Sequence, residues 1–321
     1  MTAFQQQLLD VNGITLSIYS AGPDSGRPVW LLHGFPECWY SWRSQMTALA
    51  EAGYRVYAPE MRGYGDSSAP EDVAAYQILT LCADIQGAMD ALGHTDVCMI
   101  GHDWGAPVAW HLGLLEPERV SVLGAMSVPF GGRPKRPAID IMREANVGRF
   151  NYIVYFQEPG VAEAELNADI ERSMRLLIGG NSDVFLHPKP ADAQFLAGLD
   201  VPTTYPEWCN EQDFAVYLRT LNKHGFHGPL NWYRNFEVNW QSTEFLAGRQ
   251  VLQPTLFLLG EDDPVGKLEA YTVKKMGELV PRLESHVLSE CGHWIQNERA
   301  GRVNELLLEF LGRHYPRAGI V

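Results

Sequence analysis

The chain has 321 residues, of which 46% are hydrophobic and 20% are charged, and this length allows one large α/β domain with an insertion, or two domains. The formal net charge of -14 disfavours nucleic acid and anionic membranes as partners. No apolar run approaches the roughly 18 residues that span a bilayer, and the first residues lack a basic segment followed by an apolar one, so we expect no transmembrane helix and no signal peptide.

The first part of the chain is predicted to alternate between strands and helices. We predict strands at 29–32, 55–58, 97–100 and 120–128, and helices at 41–51, 78–92 and 106–115. The strand at 55–58 is expected to stop before Pro59. This alternation is typical of an α/β fold with a mostly parallel central sheet and helices on both faces.

The pattern changes after Phe130. Residues 131–245 are rich in aromatic side chains and helical segments, and the α/β pattern resumes with strands at 255–259 and 283–288 and a helix at 297–311. We therefore predict an α/β core at 1–130 and 246–321, and a helical lid (cap) domain at 131–245. Such a lid would cover the carboxyl edge of the sheet, where ligands of α/β proteins bind.

Five scattered cysteines form no Cys-x-x-Cys pair: Cys38, Cys82, Cys98, Cys209 and Cys291. An odd number without a pairing pattern is typical of reduced thiols, so we expect a cytoplasmic protein. The sequence contains no spacing typical of metal ligands, and we expect neither a metal nor an organic cofactor.

The turn Gly101-His102-Asp103-Trp104-Gly105 is the most informative stretch. It lies between a predicted strand and a predicted helix, which is the setting of the nucleophile elbow of α/β-hydrolases. Asp103 stands where most elbows carry serine, and a carboxylate needs no base before it attacks a saturated carbon and becomes an ester. The alternative is an ordinary strand-to-helix turn in which Asp103 is an N-cap.

An ester on Asp103 has to be hydrolysed, and this requires a base further along the chain. His293 lies after a predicted strand and before a predicted helix, where the histidine of an α/β-hydrolase belongs. Asp262 and Asp263 follow the strand at 255–259, and one of them is expected to orient the imidazole. Spacing alone does not choose between these two carboxylates.

Two turns offer backbone N–H groups to a developing oxyanion. Phe35 lies in the turn His33-Gly34-Phe35-Pro36 after the strand at 29–32, and Trp104 directly follows the predicted nucleophile. A plain glycine–proline loop is the alternative for the first turn, whose Phe35–Pro36 bond is a candidate for the cis form. Glu37 is either a residue that positions water or an exposed loop charge.

Six motifs together resemble those of soluble epoxide hydrolases of the α/β-hydrolase superfamily. They are HGFPE at 33–37, RGYGDSSAP at 62–70, GHDWGAP at 101–107, YFQEPGVAEAEL at 155–166, GPLNWYRN at 228–235 and CGHW at 291–294. The resemblance runs from about residue 10 to the C-terminus, and it includes bacterial and plant enzymes and the hydrolase domain of the mammalian soluble enzymes. The lid motifs are more specific than the core motifs, which the superfamily shares.

The resemblance implies that two lid tyrosines protonate the epoxide oxygen. They match Tyr152 and Tyr233, with Tyr155 as an alternative to Tyr152. It also favours Asp263 over Asp262 as the acid. His102, inside the elbow motif, is expected to support the hydrogen bonds of the site, and the loop at 62–67 is expected to be structural.

The implied activity is that of a hydrolase acting on an ether bond, which converts a small apolar epoxide and water into a vicinal diol through an aspartyl ester. A haloalkane or haloacid dehalogenase with the same Asp–His–Asp core is the main alternative. A non-catalytic α/β-hydrolase used for binding is a third possibility, and an esterase is disfavoured because the elbow lacks serine. We expect a monomer or a homodimer that binds neither nucleic acid nor membrane.

Overall fold

The computed structural model describes residues 3–179 and 182–317. Eight strands in this part form one sheet: β1 (Gln5–Val11), β2 (Ile14–Ala21), β3 (Pro28–Leu32), β4 (Arg55–Glu60), β5 (Val97–His102), β6 (Val120–Met126), β7 (Thr255–Gly260) and β8 (Leu283–Leu288). Their order in the sheet is β1-β2-β4-β3-β5-β6-β7-β8. Strand β2 pairs antiparallel with β1 and β4, and all other neighbours are parallel, so the predicted mostly parallel sheet is confirmed.

The hairpin β1–β2 is absent from the predicted strands, although its turn has a clear sequence signal. Val11 pairs with Ile14 across the two-residue loop Asn12-Gly13, whose φ angles are 47° and 75°. Two consecutive positive φ angles are typical of a type I′ turn, for which Asn-Gly is a preferred pair. An Asn-Gly pair at this position therefore predicts the hairpin.

The predicted end of β4 before Pro59 is wrong, because the strand continues through Pro59 to Glu60. Pairing of β4 with β3 ends at Tyr57, whereas pairing with β2 continues and places Pro59 opposite Ile18. Proline lacks a backbone N–H and is tolerated where the ladder does not require that donor. The opposite error occurs in β6, which ends at Met126 and not at 128.

The helices of the α/β core lie in two parts of the chain, three before β6 and four after β7. They are α1 (Arg43–Glu51), α2 (Ile78–Ala91) and α3 (Gly105–Leu115), and later α11 (Pro264–Leu268), α12 (Ala270–Lys275), α13 (Ile295–Glu298) and α14 (Ala300–His314). Helix α1 packs on α14, and α2 packs on α3. The predicted helix at 78–92 is confirmed as α2, which buries Ile78, Leu81, Ile85 and Met89 along one face, as expected for an amphipathic helix.

A run of helices occupies the chain between β6 and β7, and its described residues contain no strand. The helices are α4 (Ala138–Ala145), α5 (Tyr152–Tyr155), α6 (Val161–Leu166), α7 (Ile170–Gly179), α8 (Glu211–His224), α9 (His227–Tyr233) and α10 (Phe236–Ser242). We call this run the lid, and its boundaries at 131 and 245 stay a prediction. Among the residues described, no helix combines the length and apolar character that crossing a bilayer requires.

Candidate active site

The turn between β5 and α3 places Asp103 in a strained backbone conformation with a φ of 48°. Non-glycine residues rarely adopt positive φ, and such strain is characteristic of functional turns. A Cβ atom on Gly101 would lie 2.1 Å from the carbonyl oxygen of Gly105, and one on Gly105 would lie 2.1 Å from that of Leu32. Only glycine fits at both positions, so this sequence can turn sharply here and present the Asp103 side chain.

The two carboxylate oxygens of Asp103 face different partners. Oδ1 accepts a hydrogen bond from the Phe35 N–H at 2.7 Å, whereas Oδ2 lies 3.5 Å from Nε2 of His293. The Phe35–Pro36 bond is cis, as the sequence suggested. Burial alone would favour the neutral acid, but the hydrogen bond and charge of His293 outweigh it, with help from Phe35, and lower the pKa of Asp103. The carboxylate is therefore ionised at neutral pH.

His293 bridges Asp103 and Asp263. Its Nδ1 lies 3.0 Å from Oδ1 of Asp263, which follows β7 and also caps α11 by accepting from the Val265 N–H at 2.9 Å. Burial disfavours the imidazolium, but the charge of Asp263 and the contacts with Asp103 outweigh it and raise the pKa of His293 well above its usual range. Asp262 is exposed and forms an ion pair with Lys267 at 3.7 Å, so the two candidate acids occupy different environments.

Glu37 and His102 form a buried pair next to His293. Nδ1 of His102 lies 2.7 Å from Oε2 of Glu37, and Nε2 lies 2.8 Å from the carbonyl oxygen of His293. A carbonyl oxygen only accepts, so Nε2 carries a hydrogen. The Gln296 amide donates to both Glu37 oxygens, at 2.9 and 3.1 Å. Glu37 is only 1% exposed, which rules out the exposed loop charge.

Two lid tyrosines lie near Asp103, whose charge acts on both phenols. Tyr152 begins α5 and Tyr233 ends α9, and their ring centroids are 6.1 Å apart. The Tyr233 ring is 5.2 Å from that of Trp104 and 5.4 Å from that of Phe35. Burial and the negative charge of Asp103 raise the pKa of both phenols well above its ordinary value, so both hydroxyls keep their protons.

The hydroxyl of Tyr155, the alternative to Tyr152, is engaged elsewhere. It donates to Oε2 of Glu165 at 2.8 Å, and the Glu165 carboxylate also accepts from the backbone N–H groups of Phe195 and Leu196. This contact ties α5 to the segment before α8. Tyr155 therefore has an evident role in packing within the lid.

Aromatic side chains surround the phenols and the imidazole. The Phe156 ring lies 5.6 Å from Tyr152 and 5.2 Å from Tyr233, and the Phe185 ring lies 5.0 Å from Tyr152 and 6.3 Å from His293. An apolar environment of this kind suits an uncharged organic substrate. The sequence did not single out Phe185, since it lies in no recognised motif and its position depends on how the lid folds.

Known proteins and one family model match most of this chain. The family model described as α/β hydrolase fold matches residues 27–300. Epoxide hydrolase A of Mycobacterium tuberculosis is 42% identical over 318 residues, covering 97% of this chain and 98% of that protein. The crystal structure of epoxide hydrolase A from Mycobacterium thermoresistibile has a TM-score of 0.91 at 40% identity, covering 96% of this chain and 98% of the other.

This chain belongs to the epoxide hydrolase family. The expected resemblance to epoxide hydrolases and the α/β-hydrolase fold are both confirmed. A longer family member, bifunctional epoxide hydrolase 2 of Sus scrofa, is 39% identical over 304 residues that cover 93% of this chain and 53% of that protein. The chain thus spans about half the length of this bifunctional relative.

Proposed function

We propose that this protein converts epoxides and water into vicinal diols through a covalent ester on Asp103. The surroundings of the Asp103 carboxylate are the main support for this function. Asp103 contacts a buried His293–Asp263 pair, and its charge acts on two buried tyrosines whose ring centroids lie 6.1 Å apart. The first arrangement can hydrolyse an ester, and the second can donate protons to a leaving oxygen.

In the first step, Oδ2 of Asp103 attacks a ring carbon and the carbon–oxygen bond of the epoxide breaks. Expelling a free alkoxide is costly, so the oxygen takes a proton from Tyr152 or Tyr233 as the bond breaks. A second phenol can donate a hydrogen bond to the same oxygen. The protonated His293 then restores the phenolic proton directly or through solvent, which leaves a neutral imidazole beside a 2-hydroxyalkyl ester.

Ester formation itself prepares His293 for the second step. The contacts that raise its pKa come from Asp263 and Asp103, and the Asp103 charge disappears when the ester forms. The pKa of His293 therefore falls, and the neutral imidazole can take a proton from water. The hydroxide attacks the ester carbonyl and the diol oxygen leaves with the proton from His293. Asp103 emerges as a carboxylic acid, and its proton passes to His293, which restores the starting ion pair.

The ester carbonyl oxygen in this mechanism is Oδ1 of Asp103. The Phe35 N–H already donates to that oxygen at 2.7 Å, and the Trp104 N–H is the second proposed donor. A Cβ atom on Gly34 would meet both Asp103 Oδ1 and the Trp104 nitrogen, at 2.3 and 2.6 Å, so these atoms lie around one point. Loss of one such donor costs roughly 10²–10³ in rate.

Glu37 and His102 are proposed to support the hydrolytic step. His102 holds the carbonyl oxygen of His293 and thereby fixes the loop that carries the imidazole. His102 and Gln296 hold the Glu37 carboxylate. We propose that this carboxylate positions the attacking water. Their removal should slow ester hydrolysis more than ester formation.

Dehalogenation is the competing reaction for an Asp–His–Asp core. A halide leaves without a proton, so a dehalogenase needs N–H donors and gains nothing from paired phenols. The two buried tyrosines beside Asp103 therefore favour the epoxide as substrate. The aromatic walls favour a small apolar epoxide, and water is the second substrate.

All five cysteines are buried free thiols, which suits a reducing compartment such as the cytoplasm. Residues 131–245 are proposed as the lid domain, since they contribute both tyrosines. Every residue of the proposed mechanism comes from one copy of the chain, which fits either a monomer or a homodimer.

A single turnover in heavy-oxygen water tests the mechanism. Excess enzyme is mixed with styrene oxide, and the diol and the protein are analysed separately by mass spectrometry. The ester route places the heavy oxygen in the Asp103 carboxylate and leaves the first diol unlabelled. A first diol that contains the heavy oxygen would show direct attack of water on the epoxide, and release of halide from a haloalkane without diol formation would show a dehalogenase.

A further inference from the structure

Gln157 connects the two segments that carry the lid tyrosines. It lies two residues after the last residue of α5, and its side-chain amide nitrogen donates to the carbonyl oxygen of Ile153 at 2.8 Å and to that of Tyr233 at 2.9 Å. An amide NH₂ has two hydrogens, and both are used here. One acceptor directly follows Tyr152 in the chain, and the other is the backbone of Tyr233 itself.

Arg234 makes the reciprocal connection. It directly follows Tyr233, and its Nε donates to the carbonyl oxygen of Phe156 at 2.9 Å. Its two terminal nitrogens bind the Glu163 carboxylate at 2.5 and 2.8 Å. The Arg234 side chain is only 2% exposed, so this bidentate pair is largely protected from solvent and holds its geometry well. Each tyrosine segment thus sends a side chain to the backbone of the other.

We propose that Gln157, supported by Arg234, is a positioning residue that sets the separation of the Tyr152 and Tyr233 hydroxyls. This inference rests on the proposed function, in which both phenols meet one epoxide oxygen. Two donors converge on one atom only if their supporting backbones are fixed to within about half an ångström. The chain itself does not fix them, because Gln157 and Tyr233 are 76 positions apart in the sequence.

The role requires an uncharged side chain with two donors. Methionine has a similar length and volume but no donor, and it would leave the carbonyl oxygens of Ile153 and Tyr233 without the amide. Glutamate has the same shape but would place a negative charge against two carbonyl oxygens. Gln157→Met therefore removes both hydrogen bonds of the amide, and Gln157→Glu replaces them with electrostatic repulsion.

The test measures ester formation and ester hydrolysis separately. In the His293→Gln background, the ester from styrene oxide accumulates, and intact-mass spectrometry over time gives the rate of its formation. We expect Gln157→Met to slow this rate by about 10–100-fold, the scale of a small misplacement of catalytic groups, and Gln157→Glu to slow it further. Decay of the ester in single turnovers with His293 intact should change less than about twofold, since the hydrolytic residues lie on other elements.

Gln241 supplies a matched control. It is a lid glutamine on α10 whose amide donates to Glu237 on the solvent side, so Gln241→Met should leave both rates unchanged. The Tyr233→Phe background supplies the second control. If Gln157 acts through the pair of phenols, Gln157→Met should cost much less when one phenolic hydroxyl is already absent.

Four outcomes would overturn the inference. Ester formation at an unchanged rate in Gln157→Met would show that the hydrogen bonds of the Gln157 amide are not needed to position the tyrosines. An equal loss in both steps, or an equal loss in the Tyr233→Phe background, would show a general disturbance of the fold. The fourth outcome is absence of any ester in His293→Gln alone, which would contradict the proposed function and remove the basis of the inference with it.

Discussion

Gly34 lies in direct contact with the carboxylate of Asp103. A Cβ atom at position 34 would be 2.3 Å from Oδ1 of Asp103 and 2.5 Å from its Cβ. Real Cβ atoms do not approach other atoms so closely. Rotation of the Asp103 side chain cannot relieve the contacts, because the new Cβ would also lie 2.6 Å from the backbone nitrogen of Trp104. The absence of a side chain at position 34 therefore makes room for the nucleophile.

Gly34→Ala should reduce ester formation by about 100-fold or more, because the added methyl displaces Asp103 from its line of attack. Gly301→Ala is the control, since nothing lies within 4 Å of that position on α14, and helix propensity should leave it as stable as the parent or more so. Rates are measured with styrene oxide, and thermal unfolding checks stability. A fully active Gly34→Ala enzyme would contradict the tight contact.

Asp263→Asn should stop the enzyme at the ester. The amide oxygen can still accept from the Val265 N–H and from Nδ1 of His293, so the geometry is kept and only the charge is lost. Loss of that charge lowers the pKa of His293 and weakens the base, and ester hydrolysis should slow by at least about 100-fold. Asp262→Asn removes an exposed carboxylate and should have no effect; the reverse result would make Asp262 the acid.

Tyr152→Phe and Tyr233→Phe should each slow ester formation by about 10–100-fold, and the double change should nearly abolish it. Tyr155→Phe is the matched control on the same helix, because its hydroxyl binds Glu165 and not the substrate. Quenched-flow measurement of the ester gives each rate. Activity of the double variant equal to the parent would exclude the phenols as proton donors.

The pH dependence of ester formation should change when His293 is removed. In the intact protein, His293 outweighs the burial that would otherwise raise the pKa of Asp103. Without His293, burial dominates and the pKa of Asp103 rises. A carboxylate with a raised pKa is protonated at higher pH, so ester formation in His293→Gln should decline at a higher pH than in the parent. If the rate of ester formation fell at the same pH in both proteins, His293 would not lower the pKa of Asp103.

The strands and turns of the core could be predicted because their signals are local. Strand β5, the turn at Asp103 and helix α3 follow one another within 20 residues, and an apolar run, two glycines and helical spacing are enough to identify them. The continuation of β4 through Pro59 was not predictable in this way. It depends on which neighbour needs the missing N–H, and this is known only once β2 and β3 are placed.

The choice among similar neighbouring side chains also needs the tertiary structure. Asp262 and Asp263 have the same charge and nearly the same position in the chain, yet only Asp263 turns inward to cap α11 and contact His293. Tyr152 and Tyr155 lie on one short helix, and the folding of the lid directs one hydroxyl to Glu165. Motif resemblance favoured Asp263 and Tyr152, whereas spacing alone left both pairs open.

Intact-mass spectrometry of His293→Gln after exposure to styrene oxide, mixed with a haloalkane, is the decisive measurement for Asp103 as the nucleophile of an epoxide hydrolase. We expect an increase equal to the whole mass of the epoxide, located on Asp103 by peptide mapping and absent in Asp103→Ala. An increase equal to the alkyl group alone, with halide released, would contradict it in favour of dehalogenation. An epoxide adduct that persists in Asp103→Ala, or no adduct at all, would contradict the assignment of Asp103 as the nucleophile.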